Sequence, residues 1–95
     1  MSVWEMKMKK YKVASKVSWK EMDGLIIVVN TESGAYYSLN KTASEIWKQI
    51  AAGNSEQEVS KAVGEKYDVS EAEVQPDLES CLKNWLEEKL IVAPD

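Results

Sequence analysis

DGLIIVVNTESGAYYSLN, residues 23–40, is the stretch whose reading decides the fold. Leu25 to Val29 is an apolar, mostly β-branched run that suits a pleated surface. Asn30 to Gly34 carries turn chemistry, and Gly34 takes a positive φ without steric cost. Ala35 to Leu39 is the return strand. With Glu32, Ser33 and Gly34 as a three-residue loop, Val29 lies opposite Tyr37 and Ile27 opposite Leu39. One face then carries Leu25, Ile27, Val29, Tyr37 and Leu39. A loop one residue longer would turn one strand over. Asn40 ends the return strand and N-caps a helix. Helices follow at once, so this strand is expected as a sheet edge, and an edge is a template for another chain.

Upstream, Lys16 to Glu21 alternates, with Val17 and Trp19 pointing one way and charged neighbours the other. That is a first strand, and it makes the sheet a three-stranded antiparallel meander. Residues 1–14, MSVWEMKMKKYKVA, form a basic N-terminal arm ahead of a domain spanning 15–93. Two readings of the arm stand. It is a disordered, solvated tail, or it is strand-like, with Trp4, Met6 and Met8 alternating against Glu5, Lys7 and Lys9. In the second reading it covers an apolar sheet face or pairs with another subunit, as in a homodimer.

Downstream the period turns helical. Ala43, Ile46, Trp47 and Ile50 fall on one face of a first helix that Gly53 ends. Ser55 with Glu58 is a capping box for a second helix, in which Val59, Ala62 and Val63 form the buried stripe. Ser70 with Glu73 opens a third, where Val74, Leu78, Cys81, Leu82, Trp85 and Leu86 make one wide apolar face. Pro76 clashes with the previous turn at the sixth helical position. The third helix therefore kinks there, or restarts with Pro76 at its first position. Leu90-Ile91-Val92 is an apolar end that tucks against the core. The expected fold class is α+β, winged-helix-like: a three-stranded antiparallel β-meander followed by three α-helices.

Ninety-five residues, 44% hydrophobic and 29% charged, make one soluble domain. No apolar run approaches the roughly 18 residues of a membrane span. No apolar segment follows the Lys-rich start, which excludes a signal peptide. One cysteine, Cys81, fits a reducing cytoplasm. The chain has no histidine, so the usual zinc ligand sets and Ser-His or Cys-His nucleophile pairs are missing. The expectation is a protein without catalysis, cofactor or metal. Net charge is −4, distributed as +5 over residues 1–20, −2 over 21–52 and −7 over 53–95. All twelve basic residues are lysines. Arginine, the usual reader of guanine edges, is missing.

The ordered series D-G, an apolar strand, N-T-E-S-G, Y-Y-x-L-N, A-x-x-I-W, G-N-S-x-x-E-V, Y-D-V, D-L-x-x-x-L-x-x-x-L and L-I resembles the PqqD-like family over about residues 17–92. The family comprises small peptide-recognition domains, RiPP recognition elements, used in making ribosomally synthesised, modified peptides. Tyr36-Tyr37-Ser38-Leu39-Asn40 after the T-x-S-G turn is similar to stand-alone leader-binding members of lasso-peptide pathways. The member serving pyrroloquinoline quinone synthesis typically has a P-E-G turn before its third strand, which this chain lacks. The resemblance implies a non-catalytic peptide chaperone. A precursor's leader peptide would add as a fourth strand against Ala35, Tyr36, Tyr37, Ser38 and Leu39. The groove wall would draw on Val74, Asp77, Leu78, Cys81, Leu82 and Trp85 of the third helix. Presentation would be to a maturation enzyme such as a radical enzyme, a leader protease or a cyclase.

Each of these residues also has a plainer role. Asp77 either pairs with a basic leader side chain or is a solvated acid favoured near a helix N-terminus. Trp85 is core or groove, Trp47 is core, and Cys81 is a small apolar filler. The rival function is a winged-helix transcriptional regulator binding DNA. The acidic helices and lack of arginine oppose it, so no nucleic acid and no membrane are expected as partners.

Overall fold

The computed structural model describes residues 10–93. Five strands and three helices run in the order β1 (Lys12–Val13), β2 (Val17–Met22), β3 (Leu25–Asn30), β4 (Tyr36–Ser38), α1 (Lys41–Ala51), α2 (Glu56–Tyr67), α3 (Glu71–Glu87) and β5 (Ile91–Val92). Strands β2, β3 and β4 form the expected antiparallel meander, and three helices follow, an α+β fold. No helix among the described residues is long and apolar enough to cross a membrane.

The register of the β3–β4 hairpin differs from expectation by one residue. Val28 faces Tyr37, Val29 faces Tyr36 and Ile27 faces Ser38. The cause is Asn30, which stays in the ladder. Its N–H donates to the Ala35 carbonyl, and its carbonyl accepts from the Gly34 N–H, both at 2.8 Å. Its Oδ1 takes the amides of Glu32 and Ser33. The loop is therefore Thr31 to Gly34, one residue longer than three. That turns β3 over: Ile26 and Val28 are buried, while Leu25, Ile27 and Val29 lie on the outer face. Tyr37 and Leu39 keep the inward side, as expected.

Two short strands pair in a way the sequence reading, with its strand-like arm and apolar end, did not foresee. Lys12 pairs with Val92 and Val13 with Ile91, a second antiparallel sheet that fastens the first and last described segments together. Residues 1–9 of the expected arm lie outside the described residues. Its last residues carry β1, and Tyr11 beside it is buried. Tyr11 donates to Glu56 at 3.2 Å, and burial together with that carboxylate pushes its phenol up to about 12.

Each helix begins where a cap dictates. Asn40 accepts from the Ala43 N–H, Ser55 and Glu58 form a full capping box, and Ser70 accepts from the Glu73 N–H. The third helix neither stops nor restarts at Pro76 but runs through it. The residue whose carbonyl loses its partner there, Ala72, is exposed, so water can satisfy the freed group.

Helix α1 lies across the inner face of the sheet. Trp47 is fully buried and meets Trp19 of β2 and Trp85 of α3 edge-on, at 6.5 and 5.1 Å between ring centroids. Such pairs add about 0.5–1.5 kcal/mol beyond burial. A chain of charges ties the layers: Glu21 of β2 to Lys48 at 3.1 Å, Lys48 to Glu45 at 3.7 Å, and Glu45 to Lys66 of α2 at 2.6 Å. Burial alone would raise the Glu45 carboxyl. The hydrogen bonds from Lys66 and Gln49 outweigh it and hold the group below its ordinary value. Gly64, buried in α2, sits under the returning chain. A β-carbon there would meet the Val69 carbonyl oxygen at 2.9 Å.

Two outcomes follow from this packing. Gly64→Ala, normally a gain within a helix, should destabilise by on the order of 1–3 kcal/mol because backbone must move; a denaturant melt at or above wild type would contradict it. The folded Glu45 carboxyl titrates below its unfolded value, so its contribution is present above that value and lost as pH falls through the folded one. Thermal melts through the acid range should show that loss, and Glu45→Gln should flatten it.

Candidate functional site

The site expected from sequence combines the β4 strand with the facing side of α3. Strand β4 is an edge of its sheet. On its inner side Ala35 accepts from Asn30, and Leu39 donates to the Ile26 carbonyl at 2.9 Å. Antiparallel pairs alternate, so Ala35, Tyr37 and Leu39 bond to β3 while the amides and carbonyls of Tyr36 and Ser38 turn to the open edge. Strand β2 is the other edge, and charged Lys20 and Glu21 interrupt it.

The end of β4 is held by a serine. The Ile26 N–H donates to Ser44 Oγ at 2.8 Å, and that hydroxyl donates to the Leu39 carbonyl at 3.2 Å. Ser44 is buried, so one hydroxyl completes the last rung of the ladder from within α1. Tyr37 fixes the other side. Its hydroxyl donates to Glu88 at 2.9 Å, just past the end of α3. That bond, with lesser help from burial and the carboxylate's charge, raises the phenol above its ordinary value.

The proposed wall residues divide in two. Val74, Leu78, Leu82 and Trp85 are buried in the core, so they support α3 from behind and offer little surface to a ligand. Asp77 is exposed and Cys81 half-buried. Burial, and secondly the Asp77 carboxylate, push the Cys81 thiol up to about 11, which leaves it inert near neutral pH. Asp77, Cys81 and Glu88 fall on one stripe of α3 and its cap, and Glu88 ties that stripe to Tyr37. Among the strand residues, Tyr36 is 72% exposed, Ala35 and Ser38 are exposed, and Leu39 is buried.

Sequence reasoning missed three features here. Glu88 is the Tyr37 partner, and its spacing from Asp77 and Cys81 was the available signal. Leu86, expected in the buried face, is 36% exposed instead, because the preceding Trp85 already fills the core side. It lines a pocket of about 460 Å³ with residues from the β1–β2 turn, the β3 end and β5. Finally, Met22, Leu25 and Tyr36 leave apolar surface on the outer face of the sheet.

The family model described as coenzyme PQQ synthesis protein D (PqqD) matches residues 26–91. Two solved structures share the fold. TbiB1 in complex with the TbiA(beta) leader peptide superimposes with a TM-score of 0.79 at 24% identity, over 84% of this chain and 93% of that one. A lasso peptide synthetase B1 complexed with the leader peptide gives 0.78 at 20% identity, over 87% and 98%. No curated protein matches the sequence.

Hydrogen exchange reads the edge directly. In the isolated protein the Tyr36 and Ser38 amides should exchange much faster than the Ile27 amide, which bonds inward to β2. Equal protection at all three positions would show that the edge is covered.

Proposed function

This chain belongs to the PqqD family, and on that premise we propose that it captures the leader of a ribosomally made precursor peptide by strand addition at β4. It then presents the leader to a maturation enzyme, such as a radical enzyme, a leader protease or a cyclase, in the cytoplasm. The observation that carries this reading is the open β4 edge, with its outward N–H and C=O groups framed by α3 through Tyr37 and Glu88. Main-chain bonds to such an edge suit any extended peptide, and side-chain pockets then choose among sequences. The two structural neighbours named above are leader-peptide complexes, which supports the same assignment.

The domain acts here as a holder without chemistry of its own. It has no histidine, and its half-buried thiol is held in the neutral form. Asp77, Cys81, Ala35, Tyr36, Tyr37 and Ser38 are the residues proposed to meet the peptide. Val74, Leu78, Leu82, Trp85 and Leu39 act by holding the groove in shape. Asp77 is exposed, so an ion pair to it is worth about 0–1 kcal/mol. Nothing favours the DNA reading: α3 carries Glu71, Glu73, Asp77, Glu79 and Glu87 against Lys83 alone.

Ser38→Pro tests strand addition cleanly. It removes one outward N–H and no bond to β3, a change edge strands accept. The probe is a synthetic leader peptide chosen by its binding to the wild-type chain. Calorimetric titration should show about tenfold weaker binding, the value of roughly one hydrogen bond, with an unchanged melt. Asp77→Asn should alter affinity only a few-fold. Undiminished binding by folded Ser38→Pro would argue against an added strand.

A further inference from the structure

The open edge of β4 is cut short at both ends, for two different reasons. Outward groups fall at alternate residues, so a longer edge would continue from Tyr36 and Ser38 to positions 34 and 40. Gly34 is committed to the hairpin loop. Its φ of +81° takes it off the extended line, and its N–H donates to the Asn30 carbonyl. Asn40 is extended, with φ −72° and ψ 178°, yet it belongs to the helix. Its carbonyl accepts from the Ser44 N–H at 2.8 Å, and its Oδ1 from the Ala43 N–H at 2.8 Å. Tyr36 and Ser38 remain, about 7 Å apart at 3.3 Å per residue.

Ser44 sets the second limit. A regular antiparallel rung would join Ile26 and Leu39 by two direct bonds. One of them forms, from the Leu39 N–H to the Ile26 carbonyl at 2.9 Å. The other is carried through a side chain. The Ile26 N–H donates to Ser44 Oγ at 2.8 Å, and that hydroxyl donates to the Leu39 carbonyl at 3.2 Å. At 2% exposure, Ser44 leaves no room for bulk water to replace it. Its backbone and side chain work on neighbouring residues. The N–H draws Asn40 into α1, while the hydroxyl holds Leu39 beside β3. Alanine is the stronger helix former and would leave Ile26 and Leu39 to pair directly, so a helix at this place does not by itself call for serine.

We propose that Ser44 is a positioning residue of the peptide site: by ending the strand at Leu39, it confines an added leader strand to Tyr36 and Ser38. The inference rests on the strand-addition reading and adds a length to it. The acceptors left for the leader are the Tyr36 and Ser38 carbonyls. Two leader amides, two residues apart, therefore bond to β4 whichever way the leader runs. The leader needs an extended segment of only about three residues facing β4, and beyond it the peptide is released from strand geometry.

The test uses the full chain and a synthetic leader peptide chosen by its binding to the wild type. Amide exchange in the wild-type complex should show Tyr36 and Ser38 protected, with two peptide amides protected at alternate positions. That count needs no variant. Ser44→Ala should keep the protection at Tyr36, lose it at Ser38 and bind about tenfold more weakly, the worth of roughly one hydrogen bond. Gly64→Ala, destabilised at a place remote from β4, should bind like wild type at a temperature where both variants are folded. An equal loss of binding in Gly64→Ala would reduce the effect of Ser44 to stability and overturn its positioning role. A longer alternating run of protected peptide amides would also overturn that role, as would folded Ser44→Ala with wild-type affinity and a protected Ser38; each leaves strand addition standing. A complex in which neither Tyr36 nor Ser38 is protected would overturn both.

Discussion

The hydroxyl of Ser44 is the joint on which the geometry of the site depends. It stands between the Ile26 amide and the Leu39 carbonyl, two groups that would otherwise close the last rung of the β3–β4 ladder on each other. The sheet is thus bonded to α1 through a side chain and not only packed against it. An unmatched buried amide costs about 1–3 kcal/mol, so separating α1 from the sheet is penalised beyond the loss of apolar contact. The same joint sets where β4 stops and α1 starts, with Asn40 between them as the cap. Strand β4 has only three residues, and without such an anchor so short an edge would fray.

Around that joint the core is small and rich in indole. Trp47 has Trp19 and Trp85 edge-on to it, and its indole N–H has no hydrogen-bond partner among the described residues. An unpaired buried donor costs about 1–3 kcal/mol, and burial of the large indole body offsets that cost. The charged chain Glu21–Lys48–Glu45–Lys66 bridges the same layers, with Glu45 buried and its partners more exposed. Apolar packing sets the spacing of sheet and helices, and the ion pairs oppose their sliding.

Local chemistry was legible in the sequence, and relations between distant or subtly placed residues were not. Asn40, Ser55 and Ser70 announce three helices because capping is a matter of a few adjacent residues. The hairpin was legible as a hairpin. Its register was not, because Asn30 takes up two loop amides and lengthens the turn by one residue. The β1–β5 pairing joins residues from opposite ends of the chain in strands too short to show a period. Gly64 looks like an indifferent helical glycine until the Val69 carbonyl is seen above it. For the site, the edge strand followed from element order. The α3 wall did not, because an apolar stripe reads the same whether it faces a core or a groove. Here it faces the core, and Glu88, just past the helix end, is the residue that bonds to β4 through Tyr37.

The pairing of Lys12 with Val92 makes the folded unit a closed circuit. Cross-strand neighbours stand about 5 Å apart, so the backbone enters and leaves the domain through what is nearly one point. The β4 edge belongs to the other sheet. A domain built this way is modular in a strict mechanical sense. It can be spliced into a surface loop of a larger polypeptide, or hung from either end, without stretching its host. Mobility about such a single pivot would let a tethered copy swing its cargo over a wide arc while the pocket and edge keep their internal geometry.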